Sequence, residues 1–166
     1  MKKQLIVIGN GMVGQRFLEY FVESEINADY EITVLCEEPR PAYDRVQLSA
    51  FFSGSSAEDL SLIEGDFFAE YKINLQLNIG ASAIDKINKQ ITTTNGDVLP
   101  YDKCVLATGS YPFVPPIPGK DEADTYVYRT IEDLEAITAA AEKNKVGVVV
   151  GGGLLGLEAA KALMEL

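Results

Sequence analysis

Two glycine turns carry the chemistry that this sequence can offer. They are Gly9-Asn10-Gly11-Met12-Val13-Gly14 and Gly151-Gly152-Gly153-Leu154-Leu155-Gly156, and both read G-x-G-x-x-G. In such a turn the first glycine permits the tight reversal, the second lets a pyrophosphate approach the backbone, and the third lets helix and strand pack closely. Amides at the helix N-terminus then face the anion. Each copy follows a β-rich run and opens helical spacing, the context that separates a dinucleotide site from a glycine-rich structural turn. An acidic residue about 20 residues further on, at the end of the next strand, would accept hydrogen bonds from a ribose. Glu37 stands there with Glu38 beside it, and a carboxylate at that point disfavours a 2′-phosphate. The alternative for Glu37 is a solvated strand-end carboxylate. Paired turns imply two dinucleotides, and flavin with nicotinamide is the natural couple, because hydride passes between stacked rings.

Composition narrows the remaining chemistry. The 166 residues contain no histidine, which excludes histidine bases, histidine-dependent triads and imidazole metal ligands within this chain. Cys36 and Cys104 are the only cysteines and form no C-x-x-C, so neither a thioredoxin-type pair nor a cysteine-ligated zinc or iron–sulfur site is available. No metal site and no acid–base catalytic residue is expected. Both cysteines sit in apolar strand-like runs and read as reduced, buried and inert, which fits a cytoplasmic protein. With 14 basic against 25 acidic residues the net charge is −11, so nucleic acid and anionic membrane are poor partners. No apolar run is long enough to span a bilayer.

The elements that must position these residues follow from the pattern. Gln4–Ile8 is a short apolar strand, and after the first turn Val13, Phe17 and Phe21 fall on one helix face. YEITVLC (30–36) is a second strand; 37–56 is an irregular excursion. A helical piece is expected over Asp66–Tyr71 and a strand over Ile73–Ile79. Ala83–Ile87, Ile91–Thr94 and Val98–Tyr101, separated by Asn88-Lys89 and Asn95-Gly96, predict a small antiparallel meander. KCVLA (103–107) is a further strand, and Pro112, Pro115, Pro116 and Pro118 form a stiff connector. Thr130 with Asp133 predicts a helix cap, with Ile131, Leu134, Ile137 and Ala141 on one face. Val146–Val150 is expected as a last strand before a helix running to Leu166. The strand–glycine turn–helix unit at each end predicts an α/β fold with a Rossmann-like parallel sheet.

VIGNGMVGQRF, CEEPRPAYDRVQLS, YDKCVLATGSYPFVPPIPG, YRTIEDL and VVGGGLLGLEAA, in this order, resemble the FAD-dependent pyridine-nucleotide oxidoreductases. Within that family they are similar to the N-terminal part of NAD(P)H-dependent nitrite reductase large subunits. The resemblance covers essentially the whole chain. It implies that the turn from Gly9 to Gly14 binds the FAD pyrophosphate and that Glu37 binds the adenosine ribose. It implies that Arg45 lies beside the FAD phosphates or flavin, that the backbone near Ala81 touches the adenine, and that Thr108 and Gly109 close over the dinucleotide. Gly151, Gly153 and Gly156 would open the NAD(P)H half, with Glu158 near nicotinamide and flavin. For Arg45 a surface salt bridge, and for Glu158 an ordinary first-turn helix acid, are the competing readings.

Two departures qualify the resemblance. Many relatives carry a lysine directly after the LS of the second motif, able to pair with the glutamate matching Glu158; here the residue is Ala50. QLSAFFSG also lacks the reactive cysteine that peroxide and disulfide reductases use there. The resemblance further implies a two-dinucleotide architecture that is incomplete here, with an FAD half over 1–114 and a connector plus the first βα unit of the NAD(P) half over 115–166. Siroheme and a 4Fe-4S cluster would belong to the full-length relative. On this reading the chain is an electron-entry module, with NAD(P)H as donor and with nitrite or a redox partner reached through other domains. A reductase of rubredoxin, ferredoxin or another acceptor, and an inert or merely nucleotide-binding fragment, are the other readings. The isolated chain is expected to be inactive, to retain FAD weakly and to self-associate through exposed sheet edges.

Overall fold

In the computed structural model, which describes residues 2–121 and 124–166, the apolar run before the first glycine turn becomes strand β1 (Lys3–Ile8). Its pairing is parallel on both sides. On one side lies β2 (Tyr30–Cys36), with Leu5 opposite Ile32 and Ile8 opposite Leu35. The order continues through β2 to β3 (Asn74–Leu77), also parallel. Between β3 and the strand on the far side of β1 the chain inserts a meander: β4 (Ala81–Asp85), β5 (Gln90–Thr93) and β6 (Val98–Pro100), antiparallel in the order β4-β5-β6. Strand β7 (Lys103–Leu106) then returns to pair with β1, giving the sheet order β3-β2-β1-β7.

Strand alternation explains how both faces of this sheet are covered. Leu5, Val7, Ile32 and Val34 point to the face packed by Leu18 and Val22 of helix α1 (Met12–Val22) and by Ile73. Ile6, Ile8 and Leu35 point to the other face, where Ile91 of the meander is fully buried. A parallel sheet covered on two faces gives the near-continuous apolar runs seen in the sequence. The turn at Asn95-Gly96 joins β5 to β6, with Gly96 in the left-handed region at φ 95°. Helix α2 (Phe67–Glu70) is a single turn within the predicted 66–71 segment. These elements form one compact unit, which runs to Tyr43 and resumes over Ser61–Gly109.

The second unit comprises Asp44–Leu60 and Ser110–Leu166. Its first segment is 3₁₀-helical over Arg45–Ser53 with a kink at Gln47 (φ −98°, ψ 16°), capped by the Asp44 carboxylate on Val46 N–H and ended by Gly54 at φ 98°. Helix α3 (Ile131–Ala141) starts with the predicted capping box: Asp133 N–H donates to Thr130 Oγ1, and Thr130 N–H donates to Asp133 Oδ2. Ile131 and Leu134 are fully buried. Helix α4 (Leu154–Glu165) follows the second glycine turn.

Three expectations need correction. Val146–Val150 forms no strand; Val146, Val148 and Val150 are 80%, 81% and 79% exposed, and no other described segment pairs with them. A β-rich run becomes a strand only when a neighbouring strand satisfies its backbone. On α1 the buried stripe is Gly14, Leu18 and Val22 with Gln15, while Val13 is 73% exposed and Phe17 and Phe21 pack at its margin. Apolar residues flank the stripe on both sides, so the pattern left two overlapping faces. Cys36 is buried, but Cys104 is only half-buried; the two form no disulfide. Among the described residues no helix is long and apolar enough to cross a membrane.

Candidate functional site

The first glycine turn is built by close approach. Gly9 sits at φ 103°, and a Cβ there would lie 2.3 Å from the carbonyl oxygen of Ala107, just beyond β7. Two backbone bonds lock this contact: Gly9 N–H to the Leu35 carbonyl and Ala107 N–H to the Ile8 carbonyl, each 2.8 Å. A Cβ on Gly14 would lie 2.2 Å from the Gly9 carbonyl oxygen, so the third glycine lets α1 start directly under the turn. Gly11 is the N-cap, with extended backbone (φ −91°, ψ −169°), no side-chain cap and no acid in the first helical turn. An uncapped, acid-free helix start attracts an anion. These features fit a dinucleotide pyrophosphate.

The residues placed around the turn behave differently from one another. Met12 and Val13 begin α1. Asn10 is 5% exposed, and its side-chain amide is engaged by protein: Oδ1 accepts from Ala42 N–H at 2.9 Å and Nδ2 donates to Gln15 Oε1 at 3.3 Å. Glu37 is exposed at the carboxyl end of β2 and lies against Gly80, whose absent side chain leaves the space: a Cβ there would be 2.6 Å from Glu37 Oε1. Glu38 is half-buried, and its Oε2 accepts from the Tyr43 hydroxyl at 2.6 Å. Ala81 opens β4 next to Gly80, which is anchored to Thr94 by N–H to Oγ1 at 3.1 Å and by the reciprocal Thr94 N–H to the Gly80 carbonyl at 2.9 Å. Thr108 and Gly109 (φ 68°) follow Ala107 and are exposed. The turn, Glu37 and Ala81 therefore surround the carboxyl ends of a parallel sheet, where open α/β sheets bind ligands.

The second unit holds the other predicted residues. Gly156 repeats the closure of Gly14: a Cβ there would lie 2.0 Å from the Gly151 carbonyl oxygen, with Gly151 at φ 130°. Gly153 is the N-cap of α4, without a side-chain cap, and apart from its own chain neighbours no described atom crowds the place its Cβ would take. Glu158 lies beyond the first turn of α4, which contains no acid, so the first-turn reading of Glu158 does not apply. It lines a cleft of about 580 Å³ with Ser49, Ala50, Lys161 and Glu165. Ala50, where relatives place lysine, and Glu158 thus share one cleft, while Lys161 approaches Glu165 at 3.9 Å. Arg45 donates from Nη1 to the Arg129 carbonyl at 2.9 Å.

Several residues of consequence escaped sequence reasoning. Gly80 carries the signal of a glycine directly before a strand, opposite the Glu37 carboxylate. Gln15 is 2% exposed, and no sequence signal marks the burial of this polar side chain. Tyr128 stacks on Phe52 with ring centroids 6.1 Å apart, and its hydroxyl oxygen is buried with no partner in hydrogen-bonding geometry among the described residues. Burial first, then the Glu158 carboxylate, pushes its pKa up to about 12; Ser49 pulls the other way and Glu165 adds to the rise.

Residues 3–166 match the family described as pyridine nucleotide-disulphide oxidoreductase. The chain is 52% identical over 165 residues to the nitrite reductase (NADH) large subunit of Escherichia coli strain K12, covering 99% of this chain and 20% of that protein. It is 50% identical over 165 residues to the nitrite reductase [NAD(P)H] large subunit of Klebsiella oxytoca, covering 99% of this chain and 17% of that protein. Among solved structures it is similar to NADH:rubredoxin oxidoreductase from Clostridium acetobutylicum, with a TM-score of 0.87 and 23% identity, covering 99% of this chain and 42% of that one. The chain therefore spans about a fifth of the length of these curated relatives.

Proposed function

The chain belongs to the pyridine nucleotide-disulphide oxidoreductase family, and from that premise we propose that it is the flavin-dependent electron-entry module of an NAD(P)H nitrite reductase. The observation that carries this reading is the first turn: an uncapped helix start, closed by Gly9 against Ala107 and by Gly14 under Gly9, with Glu37 at the end of the adjacent strand. The identity to two nitrite reductase large subunits supports the more specific assignment.

In this reading the amides following Gly11 hold the FAD pyrophosphate, and Glu37 accepts hydrogen bonds from the adenosine ribose. The backbone at Ala81 contacts the adenine, and Thr108 and Gly109 close over the dinucleotide. Arg45 serves the flavin or its phosphates. Gly151, Gly153 and Gly156 hold NAD(P)H, and Glu158 faces the nicotinamide. Bound together, FAD and NAD(P)H supply hydride transfer to flavin and onward release of electrons. The protein contributes placement and fixed dipoles rather than proton transfer, which fits a chain without histidine. Siroheme and a 4Fe-4S cluster would belong to other parts of the whole protein. Residues 1–114 act as the FAD half and 115–166 begin the NAD(P) half.

The fold shared with the clostridial NADH:rubredoxin oxidoreductase favours a second reading, in which the acceptor is a small redox protein. Protein expressed from the whole reading frame separates the two. The first reading expects flavin absorbance near 450 nm, bleached by NADH or NADPH, and nitrite-dependent oxidation of the reduced nucleotide with ammonium as product. Bleaching without nitrite turnover, but with reduction of rubredoxin, favours the second. Absence of any flavin binding leaves only the nucleotide-binding reading.

A further inference from the structure

A short buried segment joins the two ends of the first site. Ala42 and Tyr43 are 2% and 3% exposed. Ala42 N–H donates to Asn10 Oδ1 at 2.9 Å, and the Tyr43 hydroxyl donates to Glu38 Oε2 at 2.6 Å. Asn10 is the residue between the first two glycines of the turn, and Glu38 directly follows Glu37. Each end is braced again. Asn10 Nδ2 donates to Gln15 Oε1 at 3.3 Å, and Gln15 Nε2 donates to Glu19 Oε1 at 3.4 Å. The Glu38 carbonyl accepts from Asn78 N–H at 3.1 Å.

Buried polar side chains cost free energy unless satisfied, and a satisfied network rigidifies what it connects. None of these side-chain bonds belongs to the sheet ladder. Their common effect is to fix the phosphate turn relative to the end of β2. We propose that Ala42–Tyr43 is a strut setting the spacing between the pyrophosphate turn and the ribose carboxylate Glu37, with Asn10 and Tyr43 as positioning residues for the ADP half of the dinucleotide. This rests on the flavin reading above. An ADP group must engage both anchors at once, so its affinity depends on how well their separation is held before it arrives. Asn10 and Glu38 act in this scheme through the segment they hold, since their side chains are committed to protein groups.

The test uses protein from the whole reading frame, stripped of flavin, with ADP as probe. Affinity is read by calorimetry, and unfolding midpoints are taken with and without ADP. Tyr43→Phe is expected to weaken ADP about fivefold and Asn10→Ala about tenfold, since the first removes the bond to Glu38 and the second removes the bonds to both Ala42 and Gln15. The double variant is expected to stay near tenfold rather than the multiplicative fiftyfold, because both changes cut the same strut. A merely structural role would lower the unliganded midpoint yet leave the ADP affinity within about twofold, and that result overturns the proposal; so do multiplicative losses. Tyr43→Phe removes a single oxygen and keeps the test decisive if Asn10→Ala does not fold. Unmodified protein that binds no ADP overturns the flavin reading, and the strut with it, which is a different result from intact binding that the variants leave unchanged.

Discussion

Gly14 lies so close beneath Gly9 that a Cβ on it would sit 2.2 Å from the Gly9 carbonyl oxygen, and Gly156 stands in the same relation to Gly151 at 2.0 Å. The contact is with backbone, which cannot swing aside as a side-chain tip can. Gly14→Ala is therefore expected to push α1 away from the turn and to cost about 1–3 kcal/mol, the usual range for overpacking. Gly9→Ala adds an unfavourable φ of 103° to a contact with Ala107 and is expected to cost at least as much. Urea unfolding checks both. A change below about 0.5 kcal/mol in either variant would mean that the turn relaxes freely.

Glu37 and Gly80 give a paired prediction. Glu37→Gln keeps the shape but removes the charge that would hold ribose hydroxyls, and FAD affinity should fall about tenfold, the worth of one charge-assisted hydrogen bond. Gly80→Ala leaves the carboxylate in the chain but drives a methyl to 2.6 Å from its Oε1. The carboxylate must move, so FAD affinity should fall in the same direction while stability changes little. Flavin fluorescence titration measures both. Unchanged affinity in Gly80→Ala would show that the placement of Glu37 against Gly80 is irrelevant to binding.

What the sequence made legible divides along locality. β1, the first turn, α1 and β2 were readable because glycines and β-branched runs mark them without reference to distant residues. The Thr130–Asp133 box and the Asn95-Gly96 hairpin were equally local. Val146–Val150 misled because its β propensity is genuine, whereas strand formation depends on a partner found elsewhere. Inside the irregular excursion of 37–56 lies the 3₁₀ segment Arg45–Ser53, which has no periodicity to announce it. The site shows the same division. Glycines and Glu37 follow a spacing rule; the buried amides of Asn10 and Gln15 do not, because polar residues reveal their burial only through a folded partner.

The half-buried Cys104 is expected to be a slow nucleophile. Burial pushes its thiol pKa up, so less thiolate is present near neutrality than in an exposed cysteine. Labelling with a disulfide reagent at pH 8 should run about tenfold slower than for a free thiol and accelerate steadily above pH 9. Mass spectrometry of labelled peptides distinguishes it from the buried Cys36. Rapid labelling of Cys104 at pH 7 would contradict the stated environment.

Thr130→Ala tests the capping box. The substitution removes the acceptor for Asp133 N–H, 3.2 Å away, and leaves the reciprocal bond from Thr130 N–H to Asp133 Oδ2. A loss of about 1 kcal/mol is expected, typical of an N-cap. Thr130→Ser should recover most of it, because the hydroxyl is restored without the methyl. Chemical denaturation of the three proteins makes the comparison, and equal stability of the alanine and serine variants would remove the cap from the account.

Tyr128 supplies a prediction whose sign runs against most core substitutions. Its hydroxyl is enclosed without a partner in bonding geometry among the described residues, and such a group costs free energy that phenylalanine would not. Tyr128→Phe should keep the ring stack on Phe52 and stabilise the protein by about 1 kcal/mol. The same residue fixes a pH dependence. Its pKa stands near 12 in the folded chain against 10 for an ordinary tyrosine, mainly through burial and secondly through Glu158. Below pH 10 both folded and unfolded forms keep the proton, so this group adds no slope. Between pH 10 and 12 the unfolded chain loses the proton first, and stability falls as pH rises. Tyr128→Phe should flatten that part of the curve, and absorbance near 295 nm should show one fewer late-titrating phenol. A destabilised phenylalanine variant would mean instead that the hydroxyl has a firm acceptor, with Ser49 the nearest candidate to examine by a double-variant cycle.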